Sequence, residues 1–405
     1  LLSARLKFTR NALSPETSVY LNIIRVAACE IVVISHFYTK YQPMFLDSIF
    51  LGGMLGGLGV FTFFAISGFL ISYSIYQKTQ DPQYRFRHYF VDRFSRIYSG
   101  LIPALMLSLA VAGAIYATNT VYFNHLLAVE SSINLQTFTA TLSMTDMVPS
   151  GLVNATSTAA FGVPFVQPMI TSFGFNSVLW SLMVEWWIYM FFGWVILGGL
   201  MLLRREPVGG WFKPLFYAVT AFLSVVMLVL AWQYSAFIVV WFLGVAAMCA
   251  LSNSAVRSKL TGRLAAWVLA AFFFASVAGV GYEAYHIYAL THESFSLLFG
   301  LLISAAVLLG VFIVNMGAFS WLTKLLRHNR IVRWSTSLAA FSYTLFLIHY
   351  PIMLFLNGLN LEGDRMLLLI PILLMLNEAA FIIASFTEKK HKALAERIKQ
   401  NLHFT

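Results

Sequence analysis

Ten stretches of this chain are apolar over the length an α-helix needs to cross a bilayer, and that succession leaves few folds open. A hydrocarbon core of about 30 Å takes about 20 helical residues to span. The stretches are 18–38, 50–76, 99–118, 178–203, 214–231, 234–251, 264–281, 295–316, 338–358 and 366–386. Only 10% of the residues are charged, against about 25% in a soluble domain. The expected fold class is all-α: a polytopic membrane helical bundle of about ten transmembrane helices.

Lysine and arginine orient it. With the N-terminus inside, 23 of the 26 fall on the cytoplasmic side, Lys40 and Arg365 lie outside, and Arg25 is within a span. Both termini are therefore expected in the cytoplasm. The net charge of +10 follows topology and gives no reason to invoke nucleic acid. Cys29 and Cys249 both fall in apolar stretches and make no disulfide framework. The segment 1–17 is short, basic and polar, so no cleavable signal peptide is expected. We expect one transmembrane domain over 1–405, a short basic cytoplasmic tail from about 387, and no fused soluble domain. Between Ala117 and Asn176 there is no Lys or Arg. This outer loop is too long for a plain connector, and a re-entrant or interfacial helix is expected around 126–142.

Polar groups inside such spans are costly and mark function by default. Arg25 and His36 stand eleven residues apart in the first span, within roughly 20° on one helical face and about 16 Å apart along the axis. The alternative is a structural pair hydrogen-bonded to adjacent helices. The run Tyr84-Arg-Phe-Arg-His-Tyr-Phe-Val-Asp-Arg-Phe-Ser-Arg-Ile-Tyr98, read as the first cytoplasmic loop, concentrates Arg85, Arg87, Arg93 and Arg96. Guanidinium forks suit phosphate, although on composition alone ordinary positive-inside charge explains them more simply.

The fourth span opens Trp180-Ser-Leu-Met-Val-Glu-Trp-Trp-Ile-Tyr189, with Ser181, Glu185 and Tyr189 at i, i+4 spacing. Glu185 and His36 both lie toward the outer ends of their spans, so a carboxylate supporting an imidazole is one reading and a structural pair the other. His349 precedes Pro351, which frees a backbone carbonyl; this histidine is as readily a packing residue as a functional one. Ser67-Gly68 reads as close helix packing. Glu30 gets no role, and Asp47 is a weak candidate. No motif reads as a metal site, Walker loop, Rossmann fingerprint or nucleophile elbow.

Together these stretches resemble the acyltransferase-3 family of integral membrane acyltransferases. The resemblance rests on Arg25 with His36, Phe63-Phe-Ala-Ile-Ser-Gly-Phe-Leu70, Arg93-Phe-Ser-Arg-Ile-Tyr98, Trp180-Ser-Leu-Met-Val-Glu185 and Ser342-Tyr-Thr-Leu-Phe-Leu-Ile-His-Tyr-Pro351, in the family's order. It implies transfer of an acyl group, usually acetyl, from cytoplasmic acyl-CoA to a hydroxyl of an outward-facing carbohydrate. Acyl-CoA would be a donor substrate, with no permanently bound cofactor. On this likeness Arg25 and His36 are catalytic, Glu185 supports them, and Arg93 and Arg96, with Arg85 or Arg87, meet the donor. Arg25 would stabilise the oxyanion or hold the donor's arm or pyrophosphate. Ser67, Trp180, Tyr189 and His349 would line the site, and Ser181, Tyr343 or His36 itself are conceivable acyl carriers. By analogy the membrane is a bacterial inner membrane. The chain departs from the family pattern at Ser99, Phe346 and Thr387-Glu-Lys-Lys, where the usual Glu-Pro is lacking. The rival reading is a proton-coupled transporter using Arg25, His36, Glu185 and His349 as a relay; no internal repeat supports it.

Overall fold

The computed structural model describes residues 13–42, 48–130, 132–146, 172–204, 210–260, 262–288, 296–359 and 365–402. Asp47, the basic residues before 13, Arg205 and the 147–171 part of the outer loop lie outside them. Every regular element among the described residues is helical. The main helices are α1 (Pro15–Tyr41), α2 (Ser48–Lys78), α3 (Phe86–Thr118), α4 (Thr120–Glu130), α5 (Leu135–Leu142), α6 (Leu179–Leu203) and α7 (Phe212–Ser252). They continue as α8 (Ser254–Lys259), α9 (Arg263–His286), α10 (Leu297–Asn315), α11 (Ser320–Leu326), α12 (Asn329–Ala339), α13 (Ser342–Gly358), α14 (Leu369–Phe386) and α15 (His391–Asn401).

The polytopic helical bundle matches expectation. Among the described residues, eight helices are long and apolar enough to cross a membrane, or nine if the bent pair α12 and α13 is one span. The stretches 214–231 and 234–251 form the single element α7, interrupted where Tyr234 takes non-helical dihedrals (φ −116°, ψ 24°). At 1.5 Å per residue its 41 residues would extend about 60 Å, twice the hydrocarbon thickness. The break at Tyr234 divides α7 where the two predicted stretches meet, and each stretch is long enough to cross a bilayer. The third span differs, since α3 starts at Phe86 and places Arg87, Arg93 and Arg96 on helix rather than in a loop. Arginine is a good helix former, and hydropathy alone discards it.

The chain divides into two compact units, one of residues 1–90 with 191–342, the other of 91–190 with 343–405. In the first, α1 starts at a Ser14 cap whose hydroxyl accepts from the Thr17 amide, with Pro15 in the first turn. Asn315 at the end of α10 accepts from the Ser14 amide (2.8 Å) and the Thr17 hydroxyl (3.0 Å), anchoring that start. A stripe of Gly52, Gly56 and Gly59 lets α2 press on α1, where a Cβ would collide with Thr39, Ser35 or Val32. Ser35 donates to the Gly52 carbonyl across this seam (2.7 Å). A second close crossing joins α2 to α7: a Cβ at Gly68 would strike the Trp241 carbonyl, and one at Gly244 the Ala65 carbonyl.

The second unit has a core of Ile115, Leu126, Phe175, Tyr350 and Leu354. Here the expected helix around 126–142 is two helices, α4 and α5. Asn134 and Thr137 close a reciprocal capping box at the start of α5.

Candidate active site

Arg25 and His36 lie on one unbroken helix, so their shared face is real, and both are half-buried. The Ser35–Gly52 bond and the glycine stripe hold the His36 end of α1 against α2. Ser67, in the same unit, accepts from the Trp241 indole N–H (3.1 Å), which gives it a packing role beside Gly68. Arg85 precedes α3, its amide donating to His88 Nδ1 (3.1 Å), and Arg87 is exposed in the first turn.

The other residues singled out from the sequence belong to the second unit. Ser181, Glu185 and Tyr189 follow one another on α6; Glu185 and Trp180 are half-buried, Ser181 and Tyr189 buried. Ser181 donates to the Val178 carbonyl (3.1 Å). His349 is fully buried on α13, with Nδ1 3.1 Å from the Leu345 carbonyl. A carbonyl only accepts, so Nδ1 carries the proton and Nε2 of the neutral ring is the acceptor. The carbonyl freed by Pro351 is that of Leu347, one turn earlier, and Asn176 Nδ2 donates to it (2.9 Å).

Arg93 and Arg96 share a face of α3, and Arg96 is built into a cluster. Its Nη1 pairs with Glu388 Oε1 at 2.7 Å, and its guanidinium lies over the Tyr343 ring, 5.1 Å from the centroid. Glu388 Oε2 accepts from the Thr344 amide (3.0 Å) and hydroxyl (2.8 Å), so it caps the start of α13. Tyr343 donates to the Ile97 carbonyl (3.0 Å), and Glu185 is within electrostatic reach of the same phenol. Lys399 of α15 pairs with Asp92 on the preceding turn of α3 (2.8 Å). The C-terminal segment thus clasps the arginine-bearing turns from two points. Pairing uses part of the Arg96 fork; the remaining N–H groups suit an anion.

The described ends of the outer loop turn back onto the bundle. Tyr98 donates to the Leu142 carbonyl and Trp187 to the Met144 carbonyl, each at 2.7 Å. Tyr98 lies about 18 Å along α3 from its start and Trp187 about 12 Å along α6, so the end of α5 and the turn after it meet both helices well inside their length. Asp146 Oδ2 accepts from Ser172 (2.7 Å) and Thr141 (3.3 Å), while Ser132 and Thr141 accept from the amides of Phe175 and Phe173. Burial pushes the Asp146 carboxyl above the usual aspartate range, against the lowering effect of those two hydroxyls.

Glu388, Asn176 and Asp146 were not singled out from the sequence. The one available signal is Glu388, an acid at the head of a tail that is mostly basic. Among the described residues, no group of three or more His, Cys, Asp or Glu could hold a metal ion. No curated protein and no solved structure matches the chain. A family model described as an acyltransferase domain, that of the acyltransferase-3 family, matches residues 18–385 and runs through both units. With nearly its whole length covered and its apolar helices long enough to cross a bilayer, the chain belongs to the acyltransferase-3 family of membrane proteins.

Proposed function

We propose that the protein is a membrane O-acyltransferase that moves an acyl group, acetyl by default, from cytoplasmic acyl-CoA to a hydroxyl of a carbohydrate on the outer side of a bacterial inner membrane. The observation that carries this reading is His36, an imidazole on the same face of an unbroken apolar helix as Arg25, in a chain of this family. Imidazole is the side chain best matched to proton transfer near neutral pH.

In this reading His36 takes the proton of the attacking hydroxyl. The hydroxyl oxygen then bonds to the thioester carbonyl carbon. Collapse of the tetrahedral intermediate breaks the carbon–sulfur bond, and the imidazolium returns its proton to the departing CoA sulfur. Such a base contributes about 10²–10⁴-fold. Arg25 is about 16 Å along the helix from His36, too far to serve the same reacting atoms, so we assign it to the donor's arm. Arg93 and the free edge of Arg96 are assigned to the donor phosphates, with Arg85 or Arg87 adding charge. Glu185 has a supporting role, tested on its own by Glu185→Gln, which lowers turnover far more than donor affinity.

The test is base-labile O-acetyl on envelope carbohydrate, in cells making wild type, His36→Ala or neither, at matched membrane levels. Acetyl from wild type alone supports the enzyme and its base. Equal acetyl from both proteins removes His36 from the chemistry. No acetyl above the empty control, together with no saturable acyl-CoA binding, overturns the reading in favour of transport.

A further inference from the structure

The mechanism leaves one strongly charged face unused. Helix α11 carries Lys324 and is capped by Arg327, α12 carries Arg330 and Arg333, and all four are exposed. From 294 to 361 the sequence holds no Asp or Glu. Among the described residues, the acid that pairs with this face is Glu16, on Arg327. Beside the cations stand two exposed indoles, Trp321 (64%) and Trp334 (66%).

The helices are fixed to the protein by their opposite side. Leu326 packs with Val19 and Val314, with Leu322 and Ile331 against them, and Ser335 and Ala339 are buried. At helical spacing Arg330, Arg333, Trp334 and Ser337 then form the outward face of α12. That face is amphipathic in an unusual sense, with arginine heads and aromatic rings together. A soluble surface has no use for two bare indoles, and a lipid-buried one does not tolerate four cations. Both are at home at the headgroup level, where indoles sit in the interface and guanidinium or ammonium groups meet phosphate. By the charge asymmetry of the chain this is the cytoplasmic side, where the leaflet is anionic.

We infer that α11 and α12 form a docking surface for anionic phospholipid headgroups, with Lys324, Arg330 and Arg333 as the phosphate contacts and Trp321 and Trp334 seated among them. This is independent of the acyl-transfer reading.

The test uses the full chain in nanodiscs of phosphatidylcholine mixed with phosphatidylglycerol, ejected for native mass spectrometry to count retained lipids. Wild type is expected to retain phosphatidylglycerol in preference to phosphatidylcholine. Each surface cation contributes up to about fivefold, so Lys324→Gln/Arg330→Gln/Arg333→Gln is expected to cut that preference by about tenfold or more. Arg204→Gln/Lys213→Gln, cations elsewhere on the same side, is the control and leaves it nearly intact. An equal loss in the control shows only general positive-inside charge and overturns the proposal. So does an unchanged preference in the triple variant. A change in oligomeric state with unchanged lipid retention overturns it too, in favour of a contact between copies. Circular dichroism and a retained thermal midpoint establish that the triple variant is folded.

Discussion

Arg96 and Glu388 form an ion pair at 2.7 Å in which the acid is 2% exposed and also caps a helix, so one carboxylate both holds a cation and starts α13. Removing one partner of such a pair strands the other, which costs about 3–5 kcal/mol when both are buried. Arg96 is 27% exposed, so solvent offsets part of that loss. Glu388→Ala is expected to destabilise the protein by about 2 kcal/mol, read as a lower thermal midpoint in detergent. Glu388→Gln keeps an acceptor for Thr344 and loses the charge, so its midpoint falls between the two. A midpoint unchanged in both variants would show that the pair bears no structural load.

The same pair separates the two arginines of α3. Arg93→Ala is expected to weaken acyl-CoA binding with little change in the thermal midpoint. Arg96→Ala loses affinity and stability together, because Glu388 is left buried. Donor affinity in both should fall as salt rises in wild type and lose part of that dependence in the variants. Affinity unchanged in both removes them from the donor site.

Two glycines predict opposite signs. A Cβ at Gly68 meets the Trp241 backbone, which cannot rotate away, so Gly68→Ala is expected to cost about 1–3 kcal/mol. At Gly113 a Cβ meets nothing within 4 Å, and Gly113→Ala on the same kind of helix is expected to gain about 0.5–1 kcal/mol. Thermal midpoints of the two variants, purified side by side, check the contrast. A stable Gly68→Ala would mean that α2 and α7 separate more easily than their packing implies.

Asp146 predicts a pH dependence. Burial raises its carboxyl in the folded protein above the ordinary value of 3.8, so the native state holds this proton more tightly than the unfolded chain. Its stabilising contribution is complete below about pH 4 and is lost as pH rises through the raised native value. Asp146→Asn has no proton to lose. Its thermal midpoint relative to wild type should therefore climb as pH increases across that window. A difference flat with pH would show that Asp146 titrates normally.

The parts legible in the sequence were those set by periodicity within one element. Eleven residues of helix put Arg25 and His36 on one face, and α1 runs unbroken through both. Pro351 implied a freed carbonyl, and the Leu347 oxygen is indeed supplied from elsewhere, by Asn176. Ser67-Gly68 read as packing, and Trp241 lies against both. What stayed hidden depends on contact between distant stretches. Glu388 sits in a run that looks like a solvated basic tail, and nothing local shows that Arg96 and Thr344 bury it. The break in α7 at Tyr234, by contrast, falls where the sequence reading separates 214–231 from 234–251, although no proline or glycine marks it. The start of α3 was missed because a hydropathy window ends at the first arginines, whereas the backbone of Phe86 onward has every reason to stay helical.

Asp146 and Ser172 are 26 positions apart and hydrogen-bonded at 2.7 Å, with the Ser132 and Thr141 bonds fastening the chain beside them. Asp146 and Ser172 are therefore held together by their own contacts. This makes the two flanks a single junction: α5 and the chain leading into α6 are tied to each other through Asp146 and Ser172, so a change at either residue reaches both.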